Sequence, residues 1–285
     1  MVRVSINGTL SLFAGNGSKG YGGDGGHATS AAVYEPYGLA IDTAGNVYIG
    51  DYSHRVRIVY ANGTISTLAG NGTRAYGGDG GPATNAALSL LTGIALDTAG
   101  NVYIVDNLSE RIRIVFTNKT ISTFAGIGSY GYYGDGGQAS AAKLNNPTGI
   151  AIDNAGNSFI ADTGNNRIRI VYKNGTISTF AGNGTRAYGG DGGPATNAAL
   201  NYPVGVSLDS PGNLYIADRH SNVIRVVDIN GTISTFAGNN SKGFSGDNGP
   251  PTNAELNNPF GVAFDTAGNV YIADYGNNRI RIVAK

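Results

Sequence analysis

Five aspartates share one local setting. Asp24, Asp79, Asp135 and Asp191 each lie in a Gly-Asp-Gly-Gly segment, and Asp247 lies in Gly-Asp-Asn-Gly. Three residues before the carboxylate stands a ring: Tyr21, Tyr76, Tyr132, Tyr188 or Phe244. Five before it stands a base, Lys19, Arg74, Arg186 or Lys242, with Tyr130 in the remaining copy. A cation, a ring and a carboxylate on a glycine-shaped loop suit a polar, ring-containing ligand such as a sugar, and loops are where rigid folds carry function. The competing reading is structural: the tyrosine packs the loop down, the aspartate caps it, and the base is solvated.

Two further carboxylate sets recur. Asp42, Asp97, Asp153, Asp209 and Asp265 end one apolar run, and Asp51, Asp106, Asp162, Asp218 and Asp274 end the next. Aspartate in such places caps turns by accepting backbone N–H groups. Arg57, Arg113, Arg169, Arg225 and Arg281 recur as well, four of them with a second arginine two residues earlier. Arginines at i and i+2 share a strand face. This spacing predicts that they line the outer side of a sheet and hold the strand-end carboxylates in forks.

Several chemistries are excluded or disfavoured. The chain has no cysteine, so disulfides and thiolate metal sites are impossible. His27, His54 and His220 occupy unrelated repeat positions, which does not suggest one metal site. One aspartate per loop flanked by glycines is too few oxygens for calcium. No Gly-x-Ser-x-Gly elbow occurs, so no cofactor and no catalytic residue is expected. The 19 basic and 19 acidic residues cancel, which argues against a general nucleic-acid binder. No apolar run approaches a membrane span, so no membrane insertion is expected. Asn-x-Ser/Thr sequons begin at Asn7, Asn16, Asn62, Asn71, Asn107, Asn118, Asn174, Asn183, Asn230 and Asn239. They are either glycan acceptors of an extracellular or cell-surface protein or duplicated turn chemistry, and compartment stays open.

The elements that must position these residues follow from the period. The phrase Asn-Gly-Thr-Ile-Ser-Thr-Phe-Ala-Gly, with variations, begins at Asn7, Asn62, Asn118, Asn174 and Asn230, dividing the chain into repeats 7–61, 62–117, 118–173, 174–229 and 230–285. Each repeat reads as four short strands. In the fourth, Val204–Asp209 and Leu214–Asp218 are apolar on both faces, Val223–Val227 leads through an Asn-Gly turn into Thr232–Phe236, and Ser and Thr mark the outer strand. Sheets buried on both faces at their inner strands and wet at the outer one are propeller blades. The expectation is an all-β, five-bladed β-propeller of four-stranded antiparallel blades forming a single domain over 1–285. The blades fall at roughly 38–70, 93–126, 149–182, 205–238, and 261–285 plus 5–14. The first four come from the repeats. The last is closed by pairing of the N-terminal strand with the C-terminal three, which removes both raw edges.

The repeats resemble NHL repeats, on Gly-Val-Ala-Phe-Asp265, Gly-Asn-Val-Tyr-Ile-Ala-Asp274 and Asn277-Asn-Arg-Ile-Arg-Ile282. The Gly-Asp-Gly-Gly-Pro-Ala-Thr stretch resembles the longer variant of teneurin-like and bacterial multi-repeat proteins. That resemblance implies binding and interaction roles, with a minority of lyases and hydrolases on related propellers. The expected function is a non-catalytic, monomeric scaffold taking a protein or glycan partner through one face. A channel-mouth lyase or hydrolase is one alternative, and an engineered repeat array without a natural ligand is the other.

Overall fold

The computed structural model describes residues 1–4 and 9–285. The start of the first repeat at Asn7, its sequon, and part of the expected strand 5–14 lie outside the described residues. Among the described residues, no helix is long and apolar enough to cross a membrane. The chain divides into two compact units, Met1–Ala125 and Gly126–Lys285.

The first unit opens with a two-stranded hairpin, β1 (Val2–Val4) and β2 (Leu10–Leu12). Two four-stranded sheets follow, β3 (Gly38–Ile41) to β6 (Ile65–Ala69) and β7 (Leu91–Leu96) to β10 (Ile121–Ala125). Between these ends lie β4 (Val47–Asp51), β5 (Arg55–Val59), β8 (Val102–Asp106) and β9 (Arg111–Val115).

The second unit holds two more such sheets. One comprises β11 (Pro147–Ile152), β12 (Ser158–Asp162), β13 (Arg167–Val171) and β14 (Ile177–Ala181). The next comprises β15 (Pro203–Leu208), β16 (Leu214–Asp218), β17 (Val223–Val227) and β18 (Ile233–Ala237). A three-stranded sheet ends it, β19 (Gly261–Phe264), β20 (Val270–Asp274) and β21 (Arg279–Val283). Every pairing is antiparallel and sequential. Five such blade sheets place the chain in the β-propeller class.

The apolar runs explain the packing. In the first unit, Val56 and Ile58 from one sheet meet Leu91, Ile94 and Ile104 from the next, and Leu88 ahead of it, in one buried cluster. In the second, Ile168 and Ile170 meet Leu200, Leu214 and Ile216 in the same way. Glycine at the innermost strands permits a very close approach. A Cβ on Gly205 would run into the carbonyl of Phe260 and lie 2.9 Å from the Cα of Gly261.

The strand Leu10–Leu12 pairs with Val2–Val4, and among the described residues the last sheet has three strands, so closure by the N-terminal strand is not shown. A partner a few residues away closes a much shorter loop than one at the other end of the chain. Four of the glycine-rich loops run along the outermost strand of the following sheet: Gly25 N donates to Ile65 O (2.8 Å) and Ile65 N to Gly26 O (3.0 Å). Gly80 with Ile121, Gly136 with Ile177 and Gly192 with Ile233 repeat the contact at 2.8 Å. An outer strand otherwise leaves its N–H and C=O groups unpaired, and the glycine backbone covers them.

Candidate functional site

The third and fourth strands of each complete sheet set up one side-chain arrangement. Arg57 is the Cα partner of Thr67, Arg113 of Thr123, Arg169 of Thr179 and Arg225 of Thr235. The register shifts beside that pair, and the loop aspartate enters over it. Asp24 Oδ1 pairs with the Arg57 guanidinium, while its Oδ2 accepts from Thr67 N (3.1 Å), Thr67 Oγ1 (2.7 Å) and Tyr21 OH (3.0 Å). Asp135 repeats this with Arg169, Thr179 N (3.0 Å), Thr179 Oγ1 (2.7 Å) and Tyr132 OH (2.7 Å). The tyrosine ring is covered as well: Arg55, Arg111 and Arg167 lie 3.8, 3.7 and 3.8 Å from the centroids of Tyr21, Tyr76 and Tyr132.

The electrostatics follow from this geometry. Burial alone would raise Asp24, but the Thr67 hydrogen bond, the Arg57 charge and Tyr21 outweigh it and hold the carboxyl below its ordinary value. Asp79 and Asp135 are lowered by the same balance. Among the described residues, the last sheet has no fourth strand to supply a threonine. Phe244 supplies no hydroxyl, and the Asp247 side chain is 57% exposed against 32% for Asp24.

The strand-end aspartates form two different sites. Asp42 caps its turn, accepting from Ala44 N (3.0 Å), Asn46 N (2.8 Å) and Asn46 Nδ2 (2.8 Å). Asp106, Asp162, Asp218 and Asp274 are fully buried and accept from a backbone N–H ahead of the first strand: Ser89 (2.8 Å), Asn145 (2.7 Å), Asn201 (2.6 Å) and Asn257 (2.8 Å). Burial pushes Asp162 and Asp218 up to about 6, against the hydrogen bonds and the Arg169 and Arg225 charges that lower them.

The recurrent arginines therefore sit where the sequence did not place them. Arg57, Arg113, Arg169 and Arg225 are fully buried rather than lining an outer side, and their ion pairs go first to the loop aspartates. Arg169 reaches its strand-end carboxylate too, at 3.3 Å from Asp162. Alternation alone could not show this, because a strand face covered by a loop reads the same as one facing water.

Of the sequence-identified loop residues, the structure brings ring and carboxylate together and leaves the base apart. Tyr21 with Asp24, Tyr76 with Asp79, Tyr132 with Asp135 and Tyr188 with Asp191 are hydrogen-bonded. Lys19 turns to Glu35 (3.8 Å), and Arg186 turns to Asn201 (3.1 Å) and His220 (3.4 Å). Arg74 and Lys242 are exposed, each in a bridge to a leucine, Leu88 and Leu256. Phe244 lies 3.9 Å under Arg279 beside Asp247. The recurring threonine of the fourth strand was the available signal for this latch. A second group was missed because it does not repeat: Tyr202, Arg219, His220, Phe260 and Tyr275 collect in the second unit.

With the latch and its repeat in view, the comparisons are decisive. Residues 4–76, 130–188 and 183–244 match the family model described as the Teneurin NHL domain, and 256–283 match the NHL repeat. The chain belongs to the teneurin NHL-domain family. This NHL chain is 30% identical over 301 residues to mouse Teneurin-1, covering 91% of its own length and 11% of that protein. It is 32% identical over 289 residues to mouse Teneurin-4, covering 87% of itself and 10% of that protein. The chain thus spans about a tenth of the length of these curated relatives. In fold, the NHL chain resembles a structural-genomics protein of unknown function from Bacteroides thetaiotaomicron, with a TM-score of 0.59, 21% identity, and coverage of 96% of this chain and 75% of that one. It also resembles virginiamycin B lyase from Staphylococcus aureus, with a TM-score of 0.53, 15% identity, and coverage of 88% and 84%.

Proposed function

We propose that this NHL chain is a non-catalytic binding scaffold that takes a protein or glycan partner at the loop ends of its sheets. One observation carries the reading: the carboxylates that repeat are engaged in structure. The loop aspartates hold buried arginines, and the strand-end sets cap turns or bury themselves against backbone N–H groups. A catalytic acid or base needs reach to a substrate proton, and these groups already have partners on the chain.

What remains free at the loops is aromatic and basic. Tyr130 and Tyr133 are 69% and 67% exposed on one glycine-rich loop, beside the latched Tyr132 and Asp135. Exposed tyrosines are the residues that interfaces favour. In the four loops that carry one, the base (Lys19, Arg74, Arg186 or Lys242) is the part offered to a partner, while ring and carboxylate fix its platform. Expected binding therefore falls when Tyr130 and Tyr133 are both replaced by Ala, with the melting temperature unchanged. Glycan arrays and binding to teneurin ectodomains are the assays. Undiminished binding by the double variant, or turnover of a lactone or streptogramin substrate by the wild type, would refute the reading.

A further inference from the structure

The repeats differ most informatively at the loop end of the fourth and fifth sheets. Where other repeats carry Glu35, Leu90, Asn146 and Asn258, the fourth carries Tyr202, with φ of +61°. A bulky ring holds that left-handed conformation only where its surroundings impose it. The Tyr202 ring stacks on the His220 imidazole at 4.6 Å and 15°, and Asn146 Nδ2 donates to its hydroxyl at 2.9 Å. Arg219, where other repeats have Tyr52, Asn107, Thr163 or Tyr275, lies 5.6 Å from the rings of both Phe260 and Tyr275 and 6.0 Å from Tyr202.

The charge of this cluster is unbalanced. Arg186 Nη2 faces His220 Nδ1 at 3.4 Å, a contact that requires a neutral imidazole with its lone pair on Nδ1. Burial, then the charges of Arg219 and Arg186, lower the His220 pKa in the same sense. Among the described residues, no ion pair involves Arg186 or Arg219, and Arg219 Nε is buried without a hydrogen-bond partner. The adjacent carboxylate, Asp218, is fully buried and turned to Asn201 N at 2.6 Å. The comparable cluster of the first unit, Tyr34 with Tyr52 and His54, has its cation Lys19 balanced by Glu35.

We propose that Arg186, Arg219 and His220, with the rings of Tyr202, Phe260 and Tyr275, form a binding site for a uronic acid. Guanidinium forks match a carboxylate in two hydrogen bonds. The rings, Tyr275 being 62% exposed, give apolar faces for the C–H side of a pyranose. His220 Nε2–H supplies a neutral donor for a ring hydroxyl. The site deepens the glycan branch of the proposed function by naming the sugar class.

The test is calorimetry and saturation-transfer NMR on the full chain with glucuronate, glucose and acetate as probes. Saturable glucuronate binding is expected, with glucose and acetate each weaker by about tenfold or more. Arg219→Gln and the exposed-loop variant Arg186→Gln should each weaken glucuronate by about tenfold without moving the melting temperature. Tyr275→Ala should reduce glucuronate binding and leave that of acetate unchanged. Equal affinity for glucose and glucuronate, no saturable glucuronate binding, or wild-type binding by both arginine variants would overturn the site. Glucuronate failing while the Tyr130 and Tyr133 variant still loses its partner would remove this site and leave the scaffold reading intact.

Discussion

Replacing Asp24 with Asn removes one charge and keeps the shape of the latch, so it isolates what the ion pair contributes. The buried partner is Arg57, fully inaccessible, while the Asp24 side chain is one-third exposed. The cost is therefore that of a buried guanidinium left without its counter-ion, about 3–5 kcal/mol for complete removal of a partner. Two features bring the figure down. The asparagine oxygen still accepts a hydrogen bond, and Arg57 keeps the carbonyls of Ala32 (3.3 Å) and Gly22 (3.2 Å). About 2–3 kcal/mol is the expected loss. Asp135→Asn should cost less, because Arg169 retains Asp162 at 3.3 Å, whereas no ion pair joins Arg57 to Asp51 among the described residues. Asp42→Asn, at a turn, should cost about 1 kcal/mol or less. Thermal and urea unfolding followed by circular dichroism give the ranking Asp24, then Asp135, then Asp42. Losses that are equal across the three, or below about 1 kcal/mol at Asp24, would refute the claim that buried arginine is what the loop carboxylate serves.

Stability should depend on pH in two opposed steps. Asp162 and Asp218, raised to about 6, favour the fold when protonated, so their penalty is full at neutral pH and is relieved as pH falls through that value. Asp24, Asp79 and Asp135 are lowered, so their contribution is present above the ordinary carboxylate range and is lost as pH falls below it. His220 is lowered and works against the first step, so Asp218→Asn, which should flatten the melting-temperature profile between about pH 5 and about pH 7, is the cleaner reading. An unchanged profile in that variant would contradict the assignment. Gly205→Ala drives a methyl into the Phe260 carbonyl and should abolish soluble expression or cost more than about 3 kcal/mol, while Gly231→Ala, with open space around its Cβ, should cost about 1 kcal/mol from its φ of +82°. Comparable stability of the two variants would show that the inner strands are not as closely approached as described.

The sheets were legible because the period exposes them. Five copies of the same strand and turn signals leave little freedom in where strands lie, and Asn-Gly, or Asn118-Lys119 with Lys119 at φ +67°, sets the hairpin of the last pair. The arginines were misplaced for one reason. Whether a third-strand arginine is wet depends on what lies over it, and the cover is the glycine-rich loop 33 residues earlier in the same repeat, as for Arg57 and Asp24. Its glycines gave no sign of pairing with an outer strand, since local composition marks a turn and not its long-range partner. The N-terminal hairpin was not legible in the same way: repeat symmetry offers the C-terminal strands as partners of Leu10–Leu12, and Val2–Val4, which pairs with it, lies outside the repeat.

Repetition also separates architecture from recognition in this chain. A side chain that recurs in every repeat must satisfy the same neighbours each time, and the Arg–Asp–Thr–Tyr latch recurs in four sheets, with Tyr OH to Asp distances of 3.0, 3.0, 2.7 and 3.4 Å. Such a group has no atoms left to distinguish one ligand from another. Tyr202 and Arg219 differ from the residues at the same positions of the other repeats (Glu35, Leu90, Asn146 and Asn258; Tyr52, Asn107, Thr163 and Tyr275), and the change introduces a strained ring and an unpaired cation together. Either change alone would cost stability without a compensating partner in the chain. Their coincidence at one loop end is what a ligand-supplied carboxylate would balance. On that argument, the departures from the repeat are where we propose that this NHL chain binds.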